Sequence, residues 1–187
     1  MFKKIDFLKY KNLKFKKILK KDLEILRLER NSIQIRNKMI NQKIISKSDH
    51  ISWFKKTINQ KDSDYFNIFY NDELIGSGSI KDINKKDNNC TWGFYIFRKF
   101  RGPYGVLSEI KIIERAFKKH KIYKLYGHTL KSNLAILKIH KFCGFKIEGV
   151  LKNHIKINGK KIDLILTSLF QADWQKKIKK IQKMLNI

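Results

Sequence analysis

The stretch NLAILKIHKFCGF, residues 133–145, decides the reading of this chain. Counted from Ile136, its apolar positions run Ile136, Ile139, His140 and Cys143, at spacings of three and four. That is the face of a short amphipathic helix. Gly144 and Phe145 read as its stop, because glycine readily takes the left-handed conformation that closes helices. One member of the face is polar. His140 stands where a core helix carries Leu or Ile, and two readings are open. It is a core histidine bonded to backbone, or the working end of an active site.

Upstream, WGFYIFRKFRGPYGVLSEI (92–110) runs as an apolar strand, a basic glycine-containing turn, and a helix. Such a turn presents free backbone N–H groups and the positive end of a helix dipole, which suits a phosphate or pyrophosphate. Gly102 and Gly105 allow close backbone approach, and Arg98, Lys99 and Arg101 add charge. Turns of this kind also serve structure alone, so the motif gains weight only from its surroundings.

The periodicity elsewhere predicts a strand over 13–19 and a helix over 21–30. A second helix, capped by Ser46 or Ser48, carries Ile51, Trp53, Phe54 and Ile58. Strands follow at 64–71 and 73–83 around Asn71-Asp72, then at 90–97. Residues 99–105 are a loop, 106–119 a helix, and 122–130 a strand. Two strands fill 145–170 around an Asn-Gly turn at 158–159. The order β-α-α-β-β-β-α-β-α-β-β predicts a mixed α/β sandwich. The tail, 174–187, sets Trp174, Ile178, Ile181 and Leu185 on one helical face opposite lysines. It reads as a helix packed on the body or on a second subunit, or as one lying on an anionic membrane.

A chain of 187 residues is expected to form one domain, with a core over about 14–170 and a basic amphipathic helix at 171–187. Its hydrophobic fraction of 42% is that of a globular protein, and its single proline, Pro103, excludes proline-rich linkers. No apolar run approaches the ~20 residues of a membrane-spanning helix. The opening MFKKIDFLKYKNLKF lacks a signal-peptide core, so a cytoplasmic protein is expected. Cys90 and Cys143 have no metal-ligand spacing and read as small buried thiols, so no metal is expected. The formal charge of +27 invites a nucleic-acid role, yet of 43 basic residues only six are Arg, leaving 37 Lys spread along the whole chain. Lys, Ile and Asn are what A/T-rich codons encode, so genome composition suffices as a cause, and no specific nucleic-acid partner is expected. The positive field should still speed the approach of anionic ligands.

Taken together, the strand and basic turn at 92–105, the helix after it, the strand at 122–130, Asn133, the His140 helix, Gly144-Phe145 and Glu148-Gly149 resemble the GNAT superfamily of acetyl-CoA-dependent N-acetyltransferases. That family's pattern closes with Asn-x-x-Ala-x-x-x-Tyr-x-x-x-Gly-Phe. Here Ala135 falls one place early and His140 takes the tyrosine position. The family's loop, Arg/Gln-x-x-Gly-x-Gly/Ala, calls for small residues at 104 and 106, where Tyr104 and Val106 stand, with Gly105 between them. Either the loop is shifted by one residue or its grip is altered. The resemblance implies a central mixed, mostly antiparallel sheet, splayed at the cofactor site, with helices on both faces. It implies acetyl-CoA as acetyl donor, with Tyr95 and Ile96 pairing through their backbones with the pantetheine. Arg101, Gly102, Tyr104, Gly105 and Val106 would hold the pyrophosphate, and Asn133 the pantetheine arm. The amine attacks the thioester directly, and His140 would protonate the leaving thiolate as the tyrosine does in relatives. The base stays open among His128, Glu148, Asp82 and a water chain.

The front segment, RNSIQIRNKMINQKIISKSDHISWF (30–54), resembles the nucleotide-sugar branch of that superfamily, whose pattern falls here on Arg30, Asn31, Ile35, Arg36, Met39, Ile45, Ser46, Asp49, His50 and Trp53. That branch implies a UDP-linked amino sugar as substrate, acetylated on its 4-amino group in pseudaminic acid biosynthesis, with Arg30, Met39, His50 and Trp53 as substrate contacts. Plain alternatives stand beside these: Arg30 as a helix-end cap or a surface ion pair, Trp53 and Met39 as core. The Asn…Gly-Phe…Glu-Gly pattern is also that of protein N-terminal acetyltransferases of the ribosomal-protein-alanine type, and a non-catalytic basic binding module is the alternative outside the superfamily. The tail helix and the 158–170 hairpin are candidate surfaces for a homodimer.

Overall fold

Among the described residues, seven strands form one sheet: β1 (Leu13–Lys17), β2 (Asp64–Tyr70), β3 (Glu73–Asn84), β4 (Asn89–Ile96), β5 (Lys124–Leu130), β6 (Lys146–Ile157) and β7 (Lys160–Phe170). The computed structural model describes residues 7–185. Residues 1–6, from the Lys-rich start, and 186–187, from the tail, lie outside the described residues. The strands lie in the order β1-β2-β3-β4-β5-β7-β6. All neighbours are antiparallel except β4 and β5, which run parallel and pair at Asn89–Lys124 and Cys90–Leu125 before parting. The helices are α1 (Phe7–Asn12), α2 (Leu23–Asn31), α3 (Ile33–Arg36), α4 (Lys47–Thr57), α5 (Pro103–Glu114), α6 (Leu134–Cys143) and α7 (Gln171–Leu185).

Local chemistry explains the turns. Asn71 and Asp72 join β2 to β3 with φ of 47° and 62°, and Asn158 and Gly159 join β6 to β7 with φ of 48° and 80°. Paired positive φ values are what a two-residue hairpin needs to match strand twist. The Ser46 hydroxyl caps α4 by accepting the Asp49 N–H at 3.0 Å.

Side-chain alternation along the central strands feeds two cores. On one face Phe66, Ile68, Trp92, Phe94 and Ile96 pack with α5 and α7. On the other, Tyr65, Tyr95 and Phe97 pack with Leu23 and Leu26 of α2 and with Ile51, Trp53 and Phe54 of α4. Helices thus cover both faces, as the expected mixed α/β architecture requires.

Several boundaries differ from the expectation. Residues 7–12 form α1, which carries no clear apolar period. α5 begins at Pro103, three residues before the expected start, because proline suits the first helical position and Gly102 before it takes φ of 105°. The helix then loosens into a π-helical turn at Arg115–Lys119. In the tail, Trp174, Ile181 and Leu185 of α7 are buried in the main core. The membrane reading of this helix is therefore corrected: its apolar face is already covered by its own chain. Its place as a dimer surface goes with that face, whereas the β6–β7 hairpin leaves Ile147 and Val150 exposed on an edge strand. No helix among the described residues is long and apolar enough to cross a membrane.

Gly76 of β3 shows how tightly the sheet closes beside the parting strands. A Cβ there would meet the Tyr95 carbonyl oxygen at 2.3 Å. Gly76→Ala is expected to destabilise the fold by about 1–3 kcal/mol, the range of overpacked sites. Urea unfolding checks this, and a midpoint unchanged from the parent would contradict it.

Candidate active site

Where β4 and β5 part, a cavity of about 480 Å³ opens. Its walls are Phe94, Tyr95 and Ile96 of β4, Asn133, Ala135, Ile136 and Ile139 at the start of α6, the α5 turn, and Ile35 with the adjoining Gln34, Lys38 and Met39. The α5 turn contributes Arg101, Gly102, Pro103 and Gly105. Gly102 takes the N-cap position without a side-chain cap, so it offers the first-turn N–H groups of α5 no side-chain acceptor. A side chain on Gly102 would meet nothing within 4 Å, so the space before these groups is open. Arg101 ties the turn to the front segment by donating from Nη2 to the Gln34 carbonyl at 2.9 Å. Asn133 holds the N-cap position of α6 without a side-chain cap bond, and instead donates from Nδ2 to the Lys38 carbonyl at 3.4 Å, bridging to the same segment.

Of the expected cofactor contacts, Tyr95, Ile96, Arg101, Gly102, Gly105 and Asn133 line this cavity, and so does Met39 of the expected substrate contacts. The Tyr104 ring instead packs on Tyr70 and Phe100, and Val106 is wholly buried in the core. Sequence reasoning missed Gln34, Lys38, Phe94 and Ile139 as walls, although the last two occupy the apolar positions that any helix or strand facing a cleft must fill. His128, Glu148 and Asp82 line none of it. Glu148 is bound to Lys124 and Ser168, and Asp82 accepts from Thr91.

The remaining substrate candidates gather behind Tyr95. His50 and Trp53 stack with ring centroids 5.1 Å apart, and Trp53 meets Tyr65 edge-on. Neither lines the cavity. Arg30 donates from Nη2 to the Asn41 carbonyl at 2.7 Å, and Arg36 from Nη1 to the Gln42 carbonyl at 3.2 Å. Yet Arg30 Nη1 and Arg36 Nε are buried without a hydrogen-bond partner. Burial disfavours the Arg30 charge most, Tyr95 offsets this in part, and Arg36 adds like-charge repulsion. The segment therefore concentrates uncompensated positive charge beside the cavity.

His140 has a different setting. Gly144, with φ of 97°, ends α6 so that the Phe145 N–H bonds the His140 carbonyl at 2.9 Å and the Gly144 N–H bonds that of Lys141 at 3.2 Å. This double closure folds Phe145 back, and its ring lies 5.1 Å from the imidazole. Trp92 stacks on Phe145 at 4.6 Å and meets His140 at 5.3 Å. His140 is 4% exposed and is not among the residues lining the cavity. Its Nε2 lies 3.7 Å from Oε1 of Glu109, which accepts the Trp92 indole N–H at 3.1 Å. Burial pushes the imidazole down to about 4 and the Glu109 carboxyl up to about 8, with the Trp92 hydrogen bond acting weakly the other way on Glu109. Glu109 went unread in the sequence, although it interrupts the apolar face of GVLSEIKII as His140 interrupts its own. Among the described residues no group of His, Cys, Asp and Glu converges as a metal site.

Residues 15–166 match the family model described as an acetyltransferase (GNAT) domain. The chain is 26% identical to the acetyltransferase PseH of Campylobacter jejuni over 89% of this chain and 96% of that one. It is 29% identical to the [ribosomal protein uS5]-alanine N-acetyltransferase of Escherichia coli over 59% of each. Its backbone superposes on a spermidine N-acetyltransferase from Vibrio cholerae, solved in complex with CoA and spermine, with a TM-score of 0.84 at 19% identity over 88% of this chain and 99% of that one.

The buried acid and base set opposite pH slopes. Glu109 keeps its proton in the fold up to about 8, while in the unfolded chain it loses it near the ordinary 4.5, so stability falls as pH rises through that window. His140 is neutral in the fold down to about 4 but is charged when unfolded below the ordinary 6.5, so stability also falls as pH drops through that range. Glu109→Gln removes the first slope. Its melting temperature relative to the parent is expected to rise between about pH 6 and about pH 9. A difference that stays constant across this range in calorimetry would show that the carboxyl titrates normally.

Proposed function

The chain belongs to the GNAT acetyltransferase family and is an acetyl-CoA-dependent N-acetyltransferase, and on that premise we propose that its acceptor is the 4-amino group of a UDP-linked 4-amino-4,6-dideoxy sugar, as in pseudaminic acid biosynthesis. The observation that carries this reading is the pair Arg30 and Arg36, whose buried nitrogens lack partners beside Tyr95. A diphosphate would satisfy both with charge-assisted hydrogen bonds. A polyamine, or the basic tail of a ribosomal protein, would add positive charge to a segment that already repels itself and to a chain of net +27. The likeness to PseH over nearly the whole of both chains supports the same acceptor class.

The residues present fit the donor. The free backbone edge of β4 at Tyr95 and Ile96 suits the pantetheine amides, because the pairing of β4 with β5 has ended there. The uncapped start of α5, with Gly102, Gly105 and Arg101, suits the pyrophosphate. Acetyl-CoA supplies an activated acetyl group, so the chain need only align the amine with it and manage protons. Asn133, at the start of α6, orients the pantetheine arm. Met39 and Lys38 border the acceptor end, with Arg30 and Arg36 holding the phosphates and His50 and Trp53 supporting Tyr95 from behind. His140 protonates the departing sulfur.

Two variants test the assignment. Arg30→Ala is expected to raise KM for the UDP-sugar about 10- to 100-fold, the worth of a charged hydrogen bond, with KM for acetyl-CoA nearly unchanged. Equal effects on both, or none, would contradict the substrate contact. His140→Phe is expected to lower kcat about 100-fold or more, within the range of general-acid help. A parental kcat across pH would sink the acid role.

A further inference from the structure

Two proton-bearing side chains lie directly behind the cavity wall. Phe94 and Trp92 are two residues apart on β4, so they project to the same face, and Trp92 sits one strand repeat deeper. Ile136 and His140 are four apart on α6, so His140 sits one turn deeper on the same helical stripe. Phe94 and Ile136 are wall residues, which places Trp92 and His140 together as the layer behind them. Glu109 closes this layer from α5, wholly buried, with Oε1 bonded to the Trp92 indole and 3.7 Å from His140 Nε2. Two atoms of the group, Glu109 Oε2 and His140 Nδ1, are buried with no hydrogen-bond partner. A lone buried acceptor costs about 1–3 kcal/mol, so packing alone favours an apolar residue at this position. The carboxyl therefore calls for a chemical explanation.

We propose that Glu109 is a positioning residue that orients His140 and renews its proton during acetyl transfer. This rests on the reading of His140 as general acid. The Nδ1–H bond of His140 breaks as its proton passes, through a water admitted behind Phe94 and Ile136, to the sulfur that has taken the electron pair of the C–S bond. The O–H bond of Glu109 breaks in the same event, and its proton forms the new N–H bond at Nε2. His140 ends neutral, in its other tautomer. As product leaves, Nδ1 takes a proton from water and the Nε2 proton returns to the Glu109 carboxylate, which keeps the Trp92 indole N–H throughout, so both groups regain their starting protons. The imidazole never carries a full charge in its apolar setting, which a histidine acting alone would have to do.

The ordinary state of both groups suits this path. Glu109, held up to about 8, retains its proton near neutrality, and His140, held down to about 4, is neutral there. The titratable groups facing Glu109 are His140 and Cys143, both from α6, and Cys143 in turn feels Lys177 of α7. Burial pushes the Cys143 thiol well above its usual range, so it stays neutral and does not compete for the proton.

Glu109→Gln keeps the shape and an acceptor for the Trp92 indole but has no proton to pass on. With acetyl-CoA and a UDP-4-amino-4,6-dideoxy sugar, kcat is expected to fall about 10- to 100-fold, with KM for acetyl-CoA within about twofold of the parent. The parent is expected to lose kcat as pH rises through about 8, and that loss is expected to vanish in Glu109→Gln and to persist in Glu109→Asp, which restores part of the rate. A second readout needs no acceptor. The infrared spectrum of the parent at about pH 7 is expected to hold a protonated-carboxyl band that Glu109→Gln lacks. A parental kcat and pH profile in Glu109→Gln, beside a disabled His140→Phe, would overturn the relay and leave the acid role standing. Undiminished kcat in His140→Phe would overturn both. Absence of the infrared band would overturn the relay whatever the acceptor.

Discussion

Beyond Cys90 and Leu125 the parallel strands β4 and β5 stop pairing, and the site depends on that parting. Backbone groups on strands that separate inside a sheet must find other partners. The Trp92 indole stands at the base of the gap. It faces Gly127 of β5, where a Cβ would meet the ring at 3.1 Å, so that strand passes close against the indole. Phe145 and His140 of the α6 closure hold the other side of the indole. Trp92 thus ties strand separation, helix ending and the buried carboxyl into one unit. The cavity above it inherits a bare strand edge on one side and an uncapped helix start on the other.

The chain's charge acquires a more specific meaning at this site. Most of the net +27 is lysine spread along the sequence and says little about function. Arg30 and Arg36 differ, because part of each guanidinium is buried without a partner and each opposes the other. Burying those nitrogens carries a desolvation cost, which an anion held between the two side chains, such as the proposed diphosphate, would offset. Arg101 and Asn133 each bond a carbonyl of the same segment, so the α5 turn and the start of α6 are mechanically joined to it.

Much of the architecture was legible because short-range chemistry decided it. The Asn-Asp and Asn-Gly hairpins, the Ser46 cap and the Gly144 stop each need only residues that are neighbours in sequence. The α6 stretch stood out because one imidazole broke an apolar period, and it is the start of that helix, with Asn133, Ala135, Ile136 and Ile139, that lines the cavity. The start of α5 was read three residues late because the glycines suggested a longer loop, whereas Gly102 alone supplies the turn and Pro103 begins the helix. Glu109, Trp92 and His140 come from three elements, and only the fold shows that they meet. Tyr104 and Val106 lie in the turn that the resemblance named, but the Tyr104 ring packs on Tyr70 and Phe100 and the Val106 side chain is buried in the core. His50 and Trp53 stack on each other, and Trp53 packs in the cluster that holds Tyr95, so neither stands on the cavity wall.

The central claim is that the gap between β4 and β5 presents acetyl-CoA to a UDP-amino sugar selected by the front segment. The most direct measurement is release of CoA thiol from acetyl-CoA with the purified chain and matched acceptors. These are a UDP-4-amino-4,6-dideoxy sugar, the same sugar without UDP, a polyamine and an alanine-starting basic peptide. Turnover on the UDP-linked sugar, with little on the free sugar and none on the cations, is the expected result. Efficient turnover of the polyamine or the peptide, with the UDP-sugar inert, would contradict it.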